Sequence, residues 1–153
     1  MTGYSFTPWN HSRCNALDAQ GNGVLTHSME DSDISVLVVE DEPLIRISVV
    51  DELEDLGFAV FDAENADDAL IILASQPGIT TVFTDVDMPG SMNGVQLALL
   101  LRARNPDISV IVASGYLKVP RSFLPENVPF FSKPYRMEAV VEQIRASHIA
   151  GQG

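Results

Sequence analysis

Three kinds of chemically useful group occur at the ends of apolar segments in this chain of 153 residues. They are the carboxylates of Glu40, Asp41, Asp85 and Asp87, the hydroxyl of Ser114 and the ammonium of Lys133. Clustered carboxylates repel one another unless a cation lies between them, and oxygen ligands favour a hard ion such as Mg²⁺. An aspartate beside Mg²⁺ and a lysine has the parts that phosphoryl transfer needs, with the carboxylate as the nucleophile.

The segment around Asp85 predicts a buried strand that ends in a reactive residue. A β-branched and aromatic run, Thr81-Val82-Phe83-Thr84, precedes Asp85, and Met88-Pro89-Gly90 then predicts a turn. Parallel sheets bind ligands just beyond the carboxyl ends of their strands. Asp85 alone could equally be an acidic turn residue, so its role depends on the other strand ends.

Strand and helix patterns alternate along the chain. Strands are predicted at 34–39, 58–61, 79–84, 108–113 and 128–132. Helices are predicted at 43–56, from 66 to the Pro77-Gly78 break, at 95–104 and at 136–148. Three prolines between 120 and 129 leave room for one short helix at most. The fold class is therefore α/β: a five-stranded parallel sheet, doubly wound in a flavodoxin-like (βα)5 arrangement with a shortened fourth helix.

Four of the five predicted strands end in a polar residue that could do chemistry. The first ends in Glu40-Asp41, the third in Asp85, the fourth in Ser114 and the fifth in Lys133. All carboxyl ends of a parallel sheet lie along one edge, so we expect these groups to converge. Each residue has an ordinary structural explanation alone, but four such ends together favour one site.

The composition excludes several functional classes. The formal net charge is −12, which argues against direct binding of nucleic acid or of an anionic membrane. Cys14 is the single cysteine, so no internal disulfide is possible. No apolar run reaches membrane-spanning length and the N-terminus lacks a signal-peptide pattern. We therefore expect a soluble cytoplasmic protein.

At the two ends of the chain, apolar residues do not recur with the period of a helix or a strand. Residues 1–33 predict a flexible tail, 34–149 one domain and 150–153 a short C-terminal tail. Asp18 begins a segment that resembles a calcium loop, but Met29 stands where the loop needs its twelfth-position glutamate. A solvated turn is favoured there.

From about Ile34 to Ile149 the chain resembles the receiver domain of two-component response regulators. The matching motifs are Val38-Val39-Glu40-Asp41-Glu42-Pro43, Asp85-Val86-Asp87-Met88-Pro89 with Met92-Asn93-Gly94, Ala113-Ser114-Gly115, and Phe130-Phe131-Ser132-Lys133-Pro134. The resemblance implies that Asp85 is the phosphoacceptor and that Asp41 binds Mg²⁺ directly. It also implies that Glu40 acts on the ion through water and that Asp87 offers its main-chain carbonyl.

The resemblance also implies roles at the other strand ends. Lys133 matches the lysine that pairs with phosphoryl oxygens, and the Lys133–Pro134 bond is cis in this family. Ser114 matches the switch hydroxyl and Phe130 the switch aromatic, with Phe131 as the competing residue for the core. A signalling domain is implied rather than an enzyme, since such domains catalyse only their own phosphorylation and dephosphorylation.

The implied partners are a phosphohistidine donor and a downstream protein. The donor is a sensor histidine kinase or a histidine phosphotransfer domain, and the first helix with Leu44 is the predicted docking face. The length leaves no room for an output domain, so we expect a stand-alone receiver. Phosphorylation would shift an existing equilibrium through Ser114 and Phe130.

Two departures from the family pattern keep alternatives open. Gly90-Ser91 lengthens the loop after Asp85 by one residue, and the fourth helix is short. One alternative is a haloacid-dehalogenase-like phosphatase, which Asp85-Val86-Asp87 also resembles, although its acidic pair would follow the lysine. The other is a receiver-like binding module that is no longer phosphorylated. We also expect Asp87 and Tyr116 to restrict the water that hydrolyses the phosphoaspartate.

Overall fold

Strands and helices alternate along the described part of the chain. The computed structural model describes residues 31, 33–115 and 120–151. The elements are β1 (Ser35–Val39), α1 (Pro43–Asp55), β2 (Ala59–Ala63), α2 (Ala66–Ser75), β3 (Thr81–Asp85), α3 (Gly94–Arg104), β4 (Ser109–Ser114), β5 (Phe130–Ser132) and α4 (Met137–Gly151). The strands pair in parallel in the order β2-β1-β3-β4-β5. The predicted doubly wound parallel sheet is confirmed.

Local sequence signals explain where the helices begin. Pro43 occupies the first turn of α1, where its missing N–H costs nothing. At α2 the Asn65 side chain accepts a hydrogen bond of 2.8 Å from the Asp68 N–H. At α3 Asn93 and Gln96 bond each other reciprocally, at 2.8 and 2.9 Å, as a capping box.

The sheet is covered on both faces by apolar helix surfaces. Helices α2 and α3 pack on one face against Leu37, Val39 and Val82, and α1 and α4 pack on the other against Val36 and Val38. Neighbouring residues of β1 therefore face opposite layers, as strand geometry requires. None of the described helices is long and apolar enough to cross a membrane.

The described part of the connection between β4 and β5 contains little helix. Within residues 120–129 it forms one 3-10 turn, Arg121–Phe123, followed by the buried residues Leu124 and Val128. Prolines in this segment remove backbone donors that an α-helix needs. The predicted short fourth helix is thus a single 3-10 turn in the described part, and residues 116–119 lie outside it.

The packed domain extends beyond both predicted boundaries. Asp31, expected in a flexible tail, is only 3% exposed, and its carboxylate accepts two hydrogen bonds from Arg145, at 2.9 and 2.6 Å. The Arg145 guanidinium also lies 5.7 Å from the centre of the Phe58 ring. At the other end α4 continues to Gly151, so residues 150 and 151 belong to a helix rather than a tail. The predictions for residues 1–30 and 152–153, including the calcium-loop segment, fall outside the described residues.

Replacing Arg145 by glutamine is expected to lower the free energy of unfolding by about 1–2 kcal/mol, because a buried carboxylate loses its charged partner. Arg136 offers a matched control. It lies 3.8 Å from Glu138 with both side chains exposed, so Arg136→Gln should change stability by less than about 0.5 kcal/mol. Urea titrations of both variants provide the comparison, and equal losses would contradict a structural role for the Asp31–Arg145 pair.

Candidate functional site

The polar residues predicted to converge do so at one edge of the sheet. The parallel register places Val39 beside Thr84, Asp85 beside Ala113 and Ser114 beside Ser132. One carboxylate oxygen from each of Glu40, Asp41 and Asp85 lies within 4.8 Å of the others. Residues separated by more than forty positions thus form one acidic cluster, as the strand ends predicted.

Lys133 is the cation of this cluster. Its Nζ lies 3.0 Å from Glu40 Oε2 and 3.3 Å from Asp85 Oδ1. Burial opposes its charge, but the hydrogen bond to Glu40 and the attraction of both carboxylates outweigh burial and raise the pKa of Lys133. Its backbone N–H donates to the Ser114 carbonyl at 2.9 Å, and the Lys133–Pro134 bond is cis, as the resemblance implied.

The N–H, the carbonyl and the carboxylate of Glu40 all form hydrogen bonds within the protein. Its N–H donates to the Ala63 carbonyl at 3.1 Å, and its own carbonyl accepts from Arg46 Nη1 at 2.9 Å. The side chain accepts from the Glu42 N–H at 3.2 Å and from Lys133 at 3.0 Å. Because its carboxylate oxygens already have protein donors, Glu40 is better suited to act on an ion through water than to bind it directly.

Asp85 offers the opposite arrangement, a carboxylate that is buried but not fully satisfied. It is 7% exposed, and among the described residues its Oδ1 has no well-aligned hydrogen-bond donor, although Lys133 Nζ lies 3.3 Å away as an ion-pair partner. Burial raises the pKa of Asp85 against the attraction of Lys133, and burial also raises the pKa of Glu40. An unsatisfied buried oxygen among oxygen-only ligands fits Mg²⁺. Asp41 and Asp85 are the residues that would hold it.

Ser114 lies beside the acidic cluster at the end of β4. It is buried, and its Oγ is 3.5 Å from Asp87 Oδ2, a long contact at the limit of a hydrogen bond. Asp87 itself is exposed. The expected effect of Asp87 and Tyr116 on hydrolysis stays a prediction, because Tyr116 lies outside the described residues.

Phe130, the predicted switch aromatic, and Phe131, the competing residue for the core, lie on opposite faces of the sheet. Phe130 pairs in register with Val112, two residues before Ser114, and packs against the layer of α2 and α3. Phe131 packs in the other layer, where its ring centre is 6.5 Å from that of Tyr135. Phe130 therefore shares a sheet face with Ser114, whereas Phe131 belongs to the opposite layer.

The lengthened loop after Asp85 contacts α2. Gly90 adopts a φ of 110°, which favours glycine, and the Ser91 hydroxyl donates to Asp67 Oδ1 at 2.7 Å. The loop returns to the site at Gly94, where an added Cβ would lie 1.9 Å from the Asp85 carbonyl oxygen. The loop therefore contacts α2 through Ser91 and approaches the Asp85 backbone closely at Gly94.

Arg46 is a residue of this site that the sequence reasoning missed. From α1 its Nε donates to Asp62 at 3.0 Å, its Nη1 donates to the Glu40 carbonyl, and Nη2 lies 3.9 Å from Glu64. One signal could have found it: it is an arginine one helical turn after an acidic strand end in a chain with only nine Lys and Arg residues.

In the absence of Mg²⁺, Asp85→Asn is expected to stabilise the protein against unfolding, and this stabilisation should grow as the pH rises. Because burial raises the pKa of Asp85, the folded state retains a proton that the unfolded chain releases near pH 4. The free energy of unfolding therefore falls as the pH rises through this raised pKa. Urea titrations in a chelator should show the stability difference between variant and wild type growing over this window, and a constant difference would contradict the assignment.

Comparisons with known proteins agree with this arrangement. Residues 36–145 match the family described as the response regulator receiver domain. The chain is 30% identical over 118 residues to the response regulator receiver protein CpdR of Brucella abortus (strain 2308), covering 75% of this chain and 97% of CpdR. It is 32% identical over 118 residues to the sensor kinase CckA of the same strain, covering 72% of this chain but only 12% of the kinase. The crystal structure of the response regulator TrrA from Thermotoga maritima, in complex with Mg²⁺ and BeF, superposes with a TM-score of 0.64 at 25% identity, covering 74% of this chain and 98% of TrrA.

Proposed function

This chain belongs to the family of response regulator receiver domains, and on that basis we propose that Asp85 accepts a phosphoryl group in a two-component phosphorelay. The observation that carries the proposal is the Asp85 carboxylate itself. It is buried, one of its oxygens lacks a hydrogen bond, and Lys133 and two other carboxylates surround it.

The proposed reaction is an in-line displacement at phosphorus. An oxygen of Asp85 forms the new O–P bond while the N–P bond of a donor phosphohistidine breaks, and its electron pair leaves with the imidazole. Lys133 is close enough to Asp85 to offset charge on the phosphoryl oxygens. Ser114, at the end of the adjacent strand, would donate a hydrogen bond to the phosphoryl group.

Mg²⁺ is the proposed cofactor, and it would neutralise charge on the transferring group. Asp41 and Asp85 would bind it directly, Asp87 through its main-chain carbonyl and Glu40 through water. Support comes from the three carboxylate oxygens within 4.8 Å and from the Mg²⁺ that the TrrA complex contains. The satisfied side chain of Glu40 is consistent with an indirect role.

The donor is proposed to dock on the groove between α1 and α4. This groove has a volume of about 460 Å³, and its lining includes Leu44, Ile45, Tyr135 and Met137. Leu44 is 83% exposed in the first turn of α1, directly after the acidic strand end. An exposed apolar residue just after the acidic strand end suits docking of a kinase or a phosphotransfer domain that presents its histidine to Asp85.

The output is proposed to pass through Ser114 and Phe130 to a partner-binding surface, or the phosphoryl group is passed on to another protein. Phe130 lies on the same face of the sheet as Ser114, one strand away. Movement of the Ser114 hydroxyl toward a phosphoryl group would open space into which the Phe130 ring can turn. Such a change shifts the populations of existing conformations rather than forming a new fold.

The test is the intact mass of the protein after incubation with a small phosphodonor, with and without Mg²⁺. One added phosphoryl group, seen only with Mg²⁺, is the expected result. Steady consumption of the donor without an adduct would favour the haloacid-dehalogenase-like phosphatase. Neither adduct nor consumption would favour a receiver-like binding module that is no longer phosphorylated.

A further inference from the structure

Arg46 connects three elements at the edge of the sheet that carries the acidic cluster. It is the fourth residue of α1, and its side chain is 11% exposed. The guanidinium spans the ends of β1 and β2, since Nη1 bonds the Glu40 carbonyl at 2.9 Å and Nε bonds Asp62 at 3.0 Å. The planar guanidinium has separate donors in fixed directions, so two of its nitrogens bond the two acceptors at the same time.

The bond to the Glu40 carbonyl has a consequence for Asp41. The carbonyl of Glu40, the N–H of Asp41 and the Cα of Asp41 lie in one rigid peptide plane. Glu40 N–H is already fixed by its bond to the Ala63 carbonyl. Arg46 therefore fixes the remaining rotation of the plane from which the Asp41 side chain emerges.

We propose that Arg46 is a positioning residue for the divalent-cation site: it orients the Glu40–Asp41 peptide so that the Asp41 carboxylate faces Asp85. The inference rests on the proposed function, because it assumes that Asp41 and Asp85 hold Mg²⁺. Arg46 contacts neither of these carboxylates in the structure, so it acts through the backbone.

Charge and positioning predict opposite results when Arg46 is removed. Loss of a positive charge near a cation site strengthens cation binding by electrostatics alone. Loss of a group that orients a ligand weakens binding, typically by tenfold or more. The direction of the change in Mg²⁺ affinity therefore separates the two roles, and a purely stabilising role would leave the affinity unchanged.

The experiment is calorimetric titration of the intact chain with Mg²⁺, using wild type, Arg46→Met and Asp62→Asn. Arg46→Met keeps the aliphatic stem and is expected to raise the Kd for Mg²⁺ about tenfold. Asp62→Asn keeps the bond from Arg46 to the Glu40 carbonyl and is expected to change the Kd less than about threefold. At saturating Mg²⁺ the phosphorylation rate of Arg46→Met should approach that of wild type, because the acceptor Asp85 is untouched.

An unchanged or lower Kd in a folded Arg46→Met variant would overturn the inference, as would an equal loss in Asp62→Asn. Urea titration verifies folding, and Arg46→Lys replaces Arg46→Met if the latter is unfolded, with a raised Kd again expected. If wild type is phosphorylated and Arg46→Met binds Mg²⁺ as tightly as wild type, this inference is refuted and the proposed function stands. Wild type that neither binds Mg²⁺ nor gains a phosphoryl group would refute both.

Discussion

Replacing Asp85 by asparagine is expected to abolish the Mg²⁺-dependent mass gain of one phosphoryl group completely. The amide preserves the size of the side chain but removes the nucleophilic carboxylate. It also removes one of the charges that would bind Mg²⁺. Burial raises the pKa of Asp85, so its replacement is expected to keep the Mg²⁺-free protein folded, and a urea titration of the variant checks this.

Asp107→Asn is the matched control for this variant. Asp107 is an exposed aspartate just before β4, at the opposite edge of the sheet from the acidic cluster. Its replacement makes the same change of atoms and should leave the mass gain intact. Mass spectra of the wild type and both variants, taken after equal incubation, provide the readout. A full adduct on Asp85→Asn would place the acceptor at another residue and refute the proposed chemistry.

Replacing Gly94 by alanine is expected to destabilise the fold by about 3 kcal/mol, the upper end of the usual cost of overpacking. A Cβ there would lie 1.9 Å from the Asp85 carbonyl oxygen, 2.7 Å from its carbonyl carbon and 2.9 Å from the Cα of Val86. All three are backbone atoms, so no side chain can turn away to relieve the clash. The strand end that carries Asp85 must move, so phosphoryl acceptance should fall together with stability if Asp85 is the acceptor.

Gly78→Ala provides the comparison for this effect. A Cβ at Gly78 meets nothing within 4 Å, so the variant should stay within about 1 kcal/mol of wild type. Urea titration gives both free energies of unfolding, and the phosphodonor assay gives the rates of acceptance. Similar stabilities for the two variants would mean that the Asp85–Gly94 approach is looser than its distances indicate.

The sheet and the acidic cluster could be predicted because both depend on local patterns and one topological rule. Continuous apolar runs such as Val36–Val39 indicated parallel strands, and the shared edge of their carboxyl ends brought Glu40, Asp85 and Lys133 together. Helix starts at Asn65 and Asn93 were also readable, because capping involves residues only a few positions apart.

The contacts that escaped prediction join residues that no local pattern connects. Asp31 was assigned to a tail because its partner, Arg145, lies more than a hundred positions away on the last helix. Arg46 was missed because one of its acceptors is the backbone carbonyl of Glu40, a group that every residue has. The Ser91–Asp67 contact depends on the conformation of a lengthened loop, and the composition of the loop does not predict that conformation.

The length and position of β5 affect how copies of this chain meet one another. This outermost strand has three residues, Phe130–Ser132, and prolines lie on either side of it at 129 and 134. Proline has no N–H to offer a new strand, and a short edge gives little template for one. Another chain therefore finds few backbone donors and acceptors to pair with on that side, which disfavours edge-to-edge association of sheets through β5.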